Sequence, residues 1–280
     1  MRRTSRIGLA AAITAVAAAT ALAGLAPSAA ATTPVVRASL NFATPEAGKT
    51  VTTLTVGGAY YRTLTASVVT LNGGKAVSVL SGVCCNNAID FPGYVPRGSL
   101  PPLAVVAIKN KTSSLDPLNG GTGSFTWQAD FSLDDNVGTD AVDGDNLLQR
   151  GLSPQKQWKL SVDKHAAQCF VRTVANAAAV VTPVIHIPNQ TTNVRWYRAI
   201  CNRSANGVLS LRVYARSISA GTWVAFGTST AADRTVGDLN MTWTTPVSVG
   251  GKLSSGTTIA TSPAADQFNG RVDNVIITLG

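Results

Sequence analysis

Hydrophobic and polar residues alternate with a period of two along much of this chain. The clearest run lies in residues 157–216. Trp158, Leu160 and Val162 alternate with Lys159, Ser161 and Asp163, the mark of a strand with one buried face. A strand carrying Cys169 follows. Val194, Trp196 and Ile200 share one face of the next run, opposite Arg195, Tyr197 and Ala199, so Trp196 is expected to point into a core. Leu209, Leu211, Val213 and Ala215 then alternate with Ser210, Arg212 and Tyr214. Between these last two runs, Asn206-Gly207 tolerates the positive φ angles of a tight hairpin turn. The whole stretch reads as one half-buried antiparallel sheet.

The same signal recurs on either side. Residues 38–42 read as a first strand. Residues 50–70 are rich in Thr, Val, Leu and Tyr, broken at Gly57-Gly58, and Asn72-Gly73-Gly74 marks a turn. Residues 75–83 suggest another strand, and residues 103–108 are apolar throughout. Phe125, Trp127, Ala129 and Phe131 occupy one face of an alternating run. Leu147-Leu148, residues 222–226, residues 247–249 and residues 274–279 continue the series. There is no heptad, no long amphipathic helix and no repeat. Many short strands joined by polar turns specify an all-β sandwich or barrel. Its 280 residues are enough for one such domain with a large core.

Composition narrows the class. Charged residues are 13% and hydrophobic ones 45%, which excludes disorder of the whole chain. The net charge is +9, from 23 basic and 14 acidic residues. Residues 1–31 fit a secretory signal peptide: Arg2, Arg3 and Arg6 begin it, an alanine-rich apolar run follows, and Ala29-Ala30-Ala31 offers a small-x-small cleavage site. With those three arginines removed, 20 basic residues against 14 acidic ones leave +6. The basic residues are scattered singly, whereas a nucleic-acid binder shows a basic stripe interleaved with aromatics. No other stretch is apolar enough to span a membrane. The expectation is a secreted, extracellular domain over residues 32–280, without a nucleic-acid partner or a membrane span.

Several segments together carry a family resemblance. Asn146-Leu-Leu-Gln-Arg-Gly151, Gln157-Trp-Lys-Leu160, the tryptophan-to-cysteine strand at 196–201, Val249-Gly-Gly-Lys252 and Asp266-Gln-Phe-Asn-Gly-Arg-Val-Asp-Asn-Val275 resemble laminin G-like domains of the concanavalin A-like lectin/glucanase superfamily, in the form found in secreted actinobacterial proteins. The likeness is best over 115–280 and is extended over the earlier residues by fold logic. It implies a jelly-roll sandwich of two antiparallel sheets, a glycan or protein ligand and, in many members, a calcium ion.

The resemblance also bears on the four cysteines. Cys169 and Cys201 fall on neighbouring expected strands, and the family carries a similar pair, so these two are expected to be bonded. Cys84 and Cys85 are adjacent; a bond between them, free thiols and a bond to another chain all remain open. Neither pair looks like a zinc site, because His165 and His186 stand alone.

Related glucanases place catalytic carboxylates in a Glu-x-Asp-x-Glu-like strand. This chain has one glutamate, Glu46, so the motif is absent. Glycoside hydrolysis commonly needs two carboxylates, and Asp143-Gly-Asp145 reads better as a turn. There is no nucleophile elbow, phosphate loop or dinucleotide fingerprint. The expected function is therefore non-catalytic.

Five carboxylates lie in residues 134–145: Asp134, Asp135, Asp140, Asp143 and Asp145. Calcium takes six to eight oxygen ligands. The run is either a solvated loop or part of a calcium site, in which Asp135, Asp143 and Asp145 would be joined by Asp273 near the last strand, as the family's habit implies. Sugar rings pack on exposed aromatics. Trp127 and Trp158 belong, like Trp196, to inward faces, leaving Tyr61, Trp223 and Trp243 as ligand candidates or as edge packing. The expected partner is a polysaccharide or cell-surface glycan. The alternatives are an extracellular protein met by an adhesive surface, or a divergent carbohydrate-active enzyme.

Overall fold

Alternating segments rich in Thr and Val fold as strands because branched side chains pack well on a pleated surface. Every regular element among the described residues is such a strand. The computed structural model describes residues 33–280 except 41, 43–45, 82–86, 94, 96–100, 113–115, 135–144, 164, 188–193, 218–220 and 262–265. The expected leader over 1–31 and the pair Cys84 and Cys85 lie outside the described residues.

Two large antiparallel sheets form a sandwich. One runs Trp223–Thr235, Val208–Ser217, Val194–Arg203, Phe125–Leu133, Gly270–Leu279, Asn87–Asp90, Ala76–Leu80, Thr50–Val51, with Val35–Leu40 also paired to Gly270–Leu279. The other runs Val180–Val181, Ala166–Arg172, Gln157–Asp163, Asp145–Gly151, Val247–Val249, Leu103–Asn110, Leu64–Leu71, Thr53–Leu54. Val56–Gly57 pairs with Val35–Leu40 and completes the first, ten-stranded sheet; Ile185–His186 pairs with Ala166–Arg172 and completes the second, nine-stranded one.

The core lies between them. Phe125 and Trp127 of the ten-stranded sheet meet Trp158 of the other, with ring centroids 5.5 Å and 5.3 Å away. Leu160 and Val162 continue that layer. Each such side chain contributes roughly 2–3 kcal/mol on leaving water.

The stretch 157–216, expected as one sheet, is divided between the two layers. Gln157–Asp163 and Ala166–Arg172 belong to the nine-stranded sheet, Val194–Arg203 and Val208–Ser217 to the ten-stranded one. Cys169 and Cys201 are bonded, with Cα atoms 5.7 Å apart, so the disulfide joins facing layers and not adjacent strands. Period-two patterning reports which residues are buried; it does not report which sheet a strand joins.

Trp196 departs from expectation in the same region. The residues of its strand that face the core are Tyr197, Ala199 and Cys201. Trp196 is buried on the outer face of the sheet, against Ala88, with Val79 and Trp223 beside it. The ladder with Val208–Ser217 is irregular between Val194 and Trp196. Alternation with Ile200 suggested the inward face, yet that face is defined by Tyr197, Ala199 and Cys201, the last of which carries the disulfide. In the following turn only Gly207 takes a positive φ, +79°, and its N–H donates to the Ser204 carbonyl at 2.9 Å. A Cβ there would come within 2.8 Å of the Val236 carbonyl oxygen.

The unbroken apolar run 103–108 also has a structural cause. Ala104, Val106 and Ile108 face the main core. Leu103, Val105 and Ala107 are covered from outside by Leu253 and Ile259 of a small hairpin. A strand buried on both faces has no polar alternation.

Candidate functional site

The end of the nine-stranded sheet around Arg150 gathers two of the three aromatic candidates. Arg150 is the penultimate residue of the Asp145–Gly151 strand and is fully buried. Its Nη2 meets Asp116 Oδ2 at 2.6 Å. Its Nη1 donates to Asn119 Oδ1 at 2.9 Å, its Nε to the Thr245 carbonyl at 3.1 Å, and Nη2 again to the Thr242 carbonyl at 3.3 Å. Burial pulls the Arg150 guanidinium below its ordinary range, and the Asp116 charge opposes that shift. Asp116 also accepts from Asn110 Nδ2 at 2.9 Å and from the Leu118 N–H at 3.1 Å.

This network holds a turn from beneath. The Thr245 N–H donates to the Thr242 carbonyl at 2.9 Å, and Asn119 Oδ1 also accepts from the Met241 N–H at 2.7 Å. Trp243 sits in that turn and is 42% exposed. Asn110 Nδ2 donates to the Trp243 carbonyl at 3.0 Å.

The next residue links the turn to the second aromatic. The Lys111 N–H donates to the Thr63 carbonyl at 2.9 Å, and its Nζ to the Arg62 carbonyl at 3.0 Å. Arg62 Nε donates to the Tyr61 hydroxyl at 2.7 Å, with its guanidinium 5.4 Å from the ring centre. Tyr61 is 49% exposed. Residues 60–63 form a turn, not a strand, so the two tyrosines are not forced to opposite faces. Tyr60 packs on the core, with the Arg37 guanidinium 4.8 Å from its ring centre. Tyr61 and Trp243 thus flank the dipeptide Asn110-Lys111. Sequence reasoning missed Arg62, Lys111, Asn110 and Arg150; only the clustering of Tyr60, Tyr61 and Arg62 signalled the place.

Trp223 is elsewhere. It begins the Trp223–Thr235 edge strand and is half-buried on the outer face of the ten-stranded sheet. The Arg198 guanidinium lies 4.5 Å from its ring centre. Arg198 grips Asp130 with two hydrogen bonds, 2.6 Å and 2.8 Å, and Asn274 Nδ2 donates to the same carboxylate at 2.9 Å. Asp273 stands opposite Asp130 in the ladder. It accepts from Ser81 Oγ at 2.9 Å and from the Asn274 N–H at 2.7 Å. Burial pushes both the Asp130 and Asp273 carboxyls above the ordinary carboxylate range. Hydrogen bonding to Asp130 in turn raises Arg198.

The candidate calcium ligands do not assemble in what is described. Asp135 and Asp143 lie outside the described residues. Asp145 is buried in the nine-stranded sheet and Asp273 in the ten-stranded one. Among the described residues no three His, Cys, Asp or Glu side chains form a group able to hold a metal, and there is no helix long and apolar enough to cross a membrane.

Two stacked antiparallel sheets define an all-β sandwich. No family model matches the chain, and no curated protein matches it. Solved structures do. The binding domain of Paraclostridial Mosquitocidal Protein 1 matches with a TM-score of 0.51 at 11% identity, covering 87% of this chain and 48% of that one. The binding domain of botulinum neurotoxin DC in complex with SialylT gives 0.48 at 8% identity, covering 86% and 46%. The same domain in complex with rat synaptotagmin II gives 0.47 at 10%, covering 86% and 47%. The chain spans about half the length of these solved chains, and the first likeness is one of fold.

Proposed function

We propose that this chain is a secreted, non-catalytic, laminin G-like binding module that recognises a polysaccharide or cell-surface glycan through the end bearing Tyr61 and Trp243. The observation that carries the reading is an exposed tryptophan held in place by a buried arginine. Trp243 gains little by exposure itself, yet its turn is secured by two hydrogen bonds from Arg150, which is itself fixed by two more to Asn119 and Asp116. A preformed aromatic surface loses little entropy when a ligand packs on it. An exposed amphipathic ring offers both an apolar face and a polar edge to a sugar. The fold likeness to a domain described as a binding domain points the same way.

Non-catalytic character is supported by chemistry. The single glutamate, Glu46, is exposed. The facing carboxylates Asp130 and Asp273 are buried and occupied by Arg198, Asn274 and Ser81, whereas glycoside hydrolysis needs a pair open to the scissile bond.

The test is retention of the full chain on insoluble polysaccharides, with calcium and with chelator. Wild type is expected to be retained on at least one polymer, and Trp243→Ala to weaken retention about tenfold or more, the usual size for an aromatic anchor. Loss of retention in chelator would show that binding needs a metal ion and direct attention to the acidic stretch 134–145. No retention on any polymer would sink the glycan reading and put an extracellular protein partner first.

A further inference from the structure

Resting on that reading of the same site, we infer that the glycan it takes is anionic, a sugar chain bearing carboxylate or sulfate groups. Two cations are placed at this end: Arg62, whose guanidinium lies 5.4 Å from the Tyr61 ring centre, and Lys111, whose Nζ donates to the Arg62 carbonyl. Neither makes an ion pair with a described carboxylate. Elsewhere Lys156 pairs with Asp238, Arg198 with Asp130, buried Lys252 with Asp266 and Arg271 with Asp90; what marks this end is the want of acidic residues along it. The segments that build this end, residues 58–63, 109–112 and 241–246, contain no acidic residue at all. The carboxylate nearest in the hydrogen-bond network, Asp116, is occupied by buried Arg150 and by Asn110. Like charges gathered without a counter-ion repel one another and focus a positive potential on the surface they share.

Geometry makes these cations usable. Arg62 spends only Nε, on the Tyr61 hydroxyl, which orients the guanidinium and leaves both terminal nitrogens free for a two-pronged contact with a carboxylate or sulfate. Lys111 spends one ammonium N–H on the Arg62 carbonyl and keeps two. Tyr61 and Trp243 supply the apolar surface for the ring that carries the anion. A neutral sugar would use the aromatics and leave the charges idle. An anionic sugar uses both.

The test uses the full chain and matched polymer pairs that differ only in charge: polygalacturonate against its methyl ester, and dextran sulfate against dextran. The anionic member of at least one pair is expected to bind at least tenfold more tightly. Arg62→Gln combined with Lys111→Gln should remove that preference, as should added salt. Trp243→Ala leaves the charge unchanged and should weaken anionic binding about tenfold. Lys75→Gln removes one charge at the far end of the Leu64–Leu71 strand, where Lys75 is exposed, as Arg62→Gln alone does at the site; it should stay within about twofold of wild type where Arg62→Gln alone weakens anionic binding more. Matching unfolding curves for the variants certify their folds. Equal binding of charged and neutral members, with loss only in Trp243→Ala, overturns the anionic inference and leaves the glycan reading standing. Equal weakening by Lys75→Gln overturns it as general attraction to a basic chain. Failure of every polymer to bind overturns both.

Discussion

Asp273 concentrates the residue-scale physics of the ten-stranded sheet's outer face. Its carboxylate is buried beside that of Asp130 and accepts from Ser81 and the Asn274 N–H. Burial is the larger influence and raises its pKa, with the Asp130 charge acting in the same direction. A folded-state pKa above the unfolded one means that the folded chain holds the proton more tightly. The stability this confers is complete below the ordinary carboxylate value and is lost as pH rises through the raised one. Asp273→Asn resembles the protonated acid at every pH. The melting temperature of wild type relative to this variant is therefore expected to fall as pH rises from the ordinary carboxylate range towards neutrality. A relative melting temperature that rises instead would refute dominance by burial. The sequence showed an Asp near the last strand and allowed it as a metal ligand; its pairing with Asp130 depends on which strands become neighbours.

At the scale of elements, Arg150 and Asp116 tie a strand end to two turns. Removing one partner of a buried ion pair strands the other charge, which costs about 3–5 kcal/mol. Asp116→Ala is expected to lose that much in urea unfolding, and to free the Trp243 turn, read as faster hydrogen exchange at the Thr245 N–H. A loss below about 1 kcal/mol, with exchange unchanged, would mean that the turn stands without the pair. Strand positions were legible from alternation: residues 125–131, 157–163 and 208–215 lie inside observed strands. Trp196 was not, because alternation assigns two faces and cannot say which one meets the other sheet. The mismatch is resolved by the cross-sheet bond at Cys201, which shares its face with Tyr197 and Ala199.

Across the whole molecule, the Cys169–Cys201 bond is a staple between layers. It closes a loop over a sequence separation of 32 residues, worth about 3–4 kcal/mol in the chain-entropy account. Cys169→Ala combined with Cys201→Ala should lower unfolding free energy by at least that amount, since both sulfurs are also buried in the core. A loss below about 1 kcal/mol would mean that the sandwich is held by its apolar interior alone. That interior includes the aromatic layer of Phe125, Trp127 and Trp158, drawn from both sheets.

The sequence alone determined that the chain folds as strands, that residues 103–108 form an apolar one, and that Cys169 pairs with Cys201, because these depend on local periodicity, on composition and on a family resemblance. It also singled out Tyr61 and Trp243 as aromatics outside the core. Only the tertiary structure decided that these two share one end with Arg62 and Lys111, that Trp223 belongs to another face, and that residues 157–216 split between layers. Strand order is set by long-range pairing and by the area buried when two sheets close. A pattern of period two is the same whichever neighbour a strand finally takes.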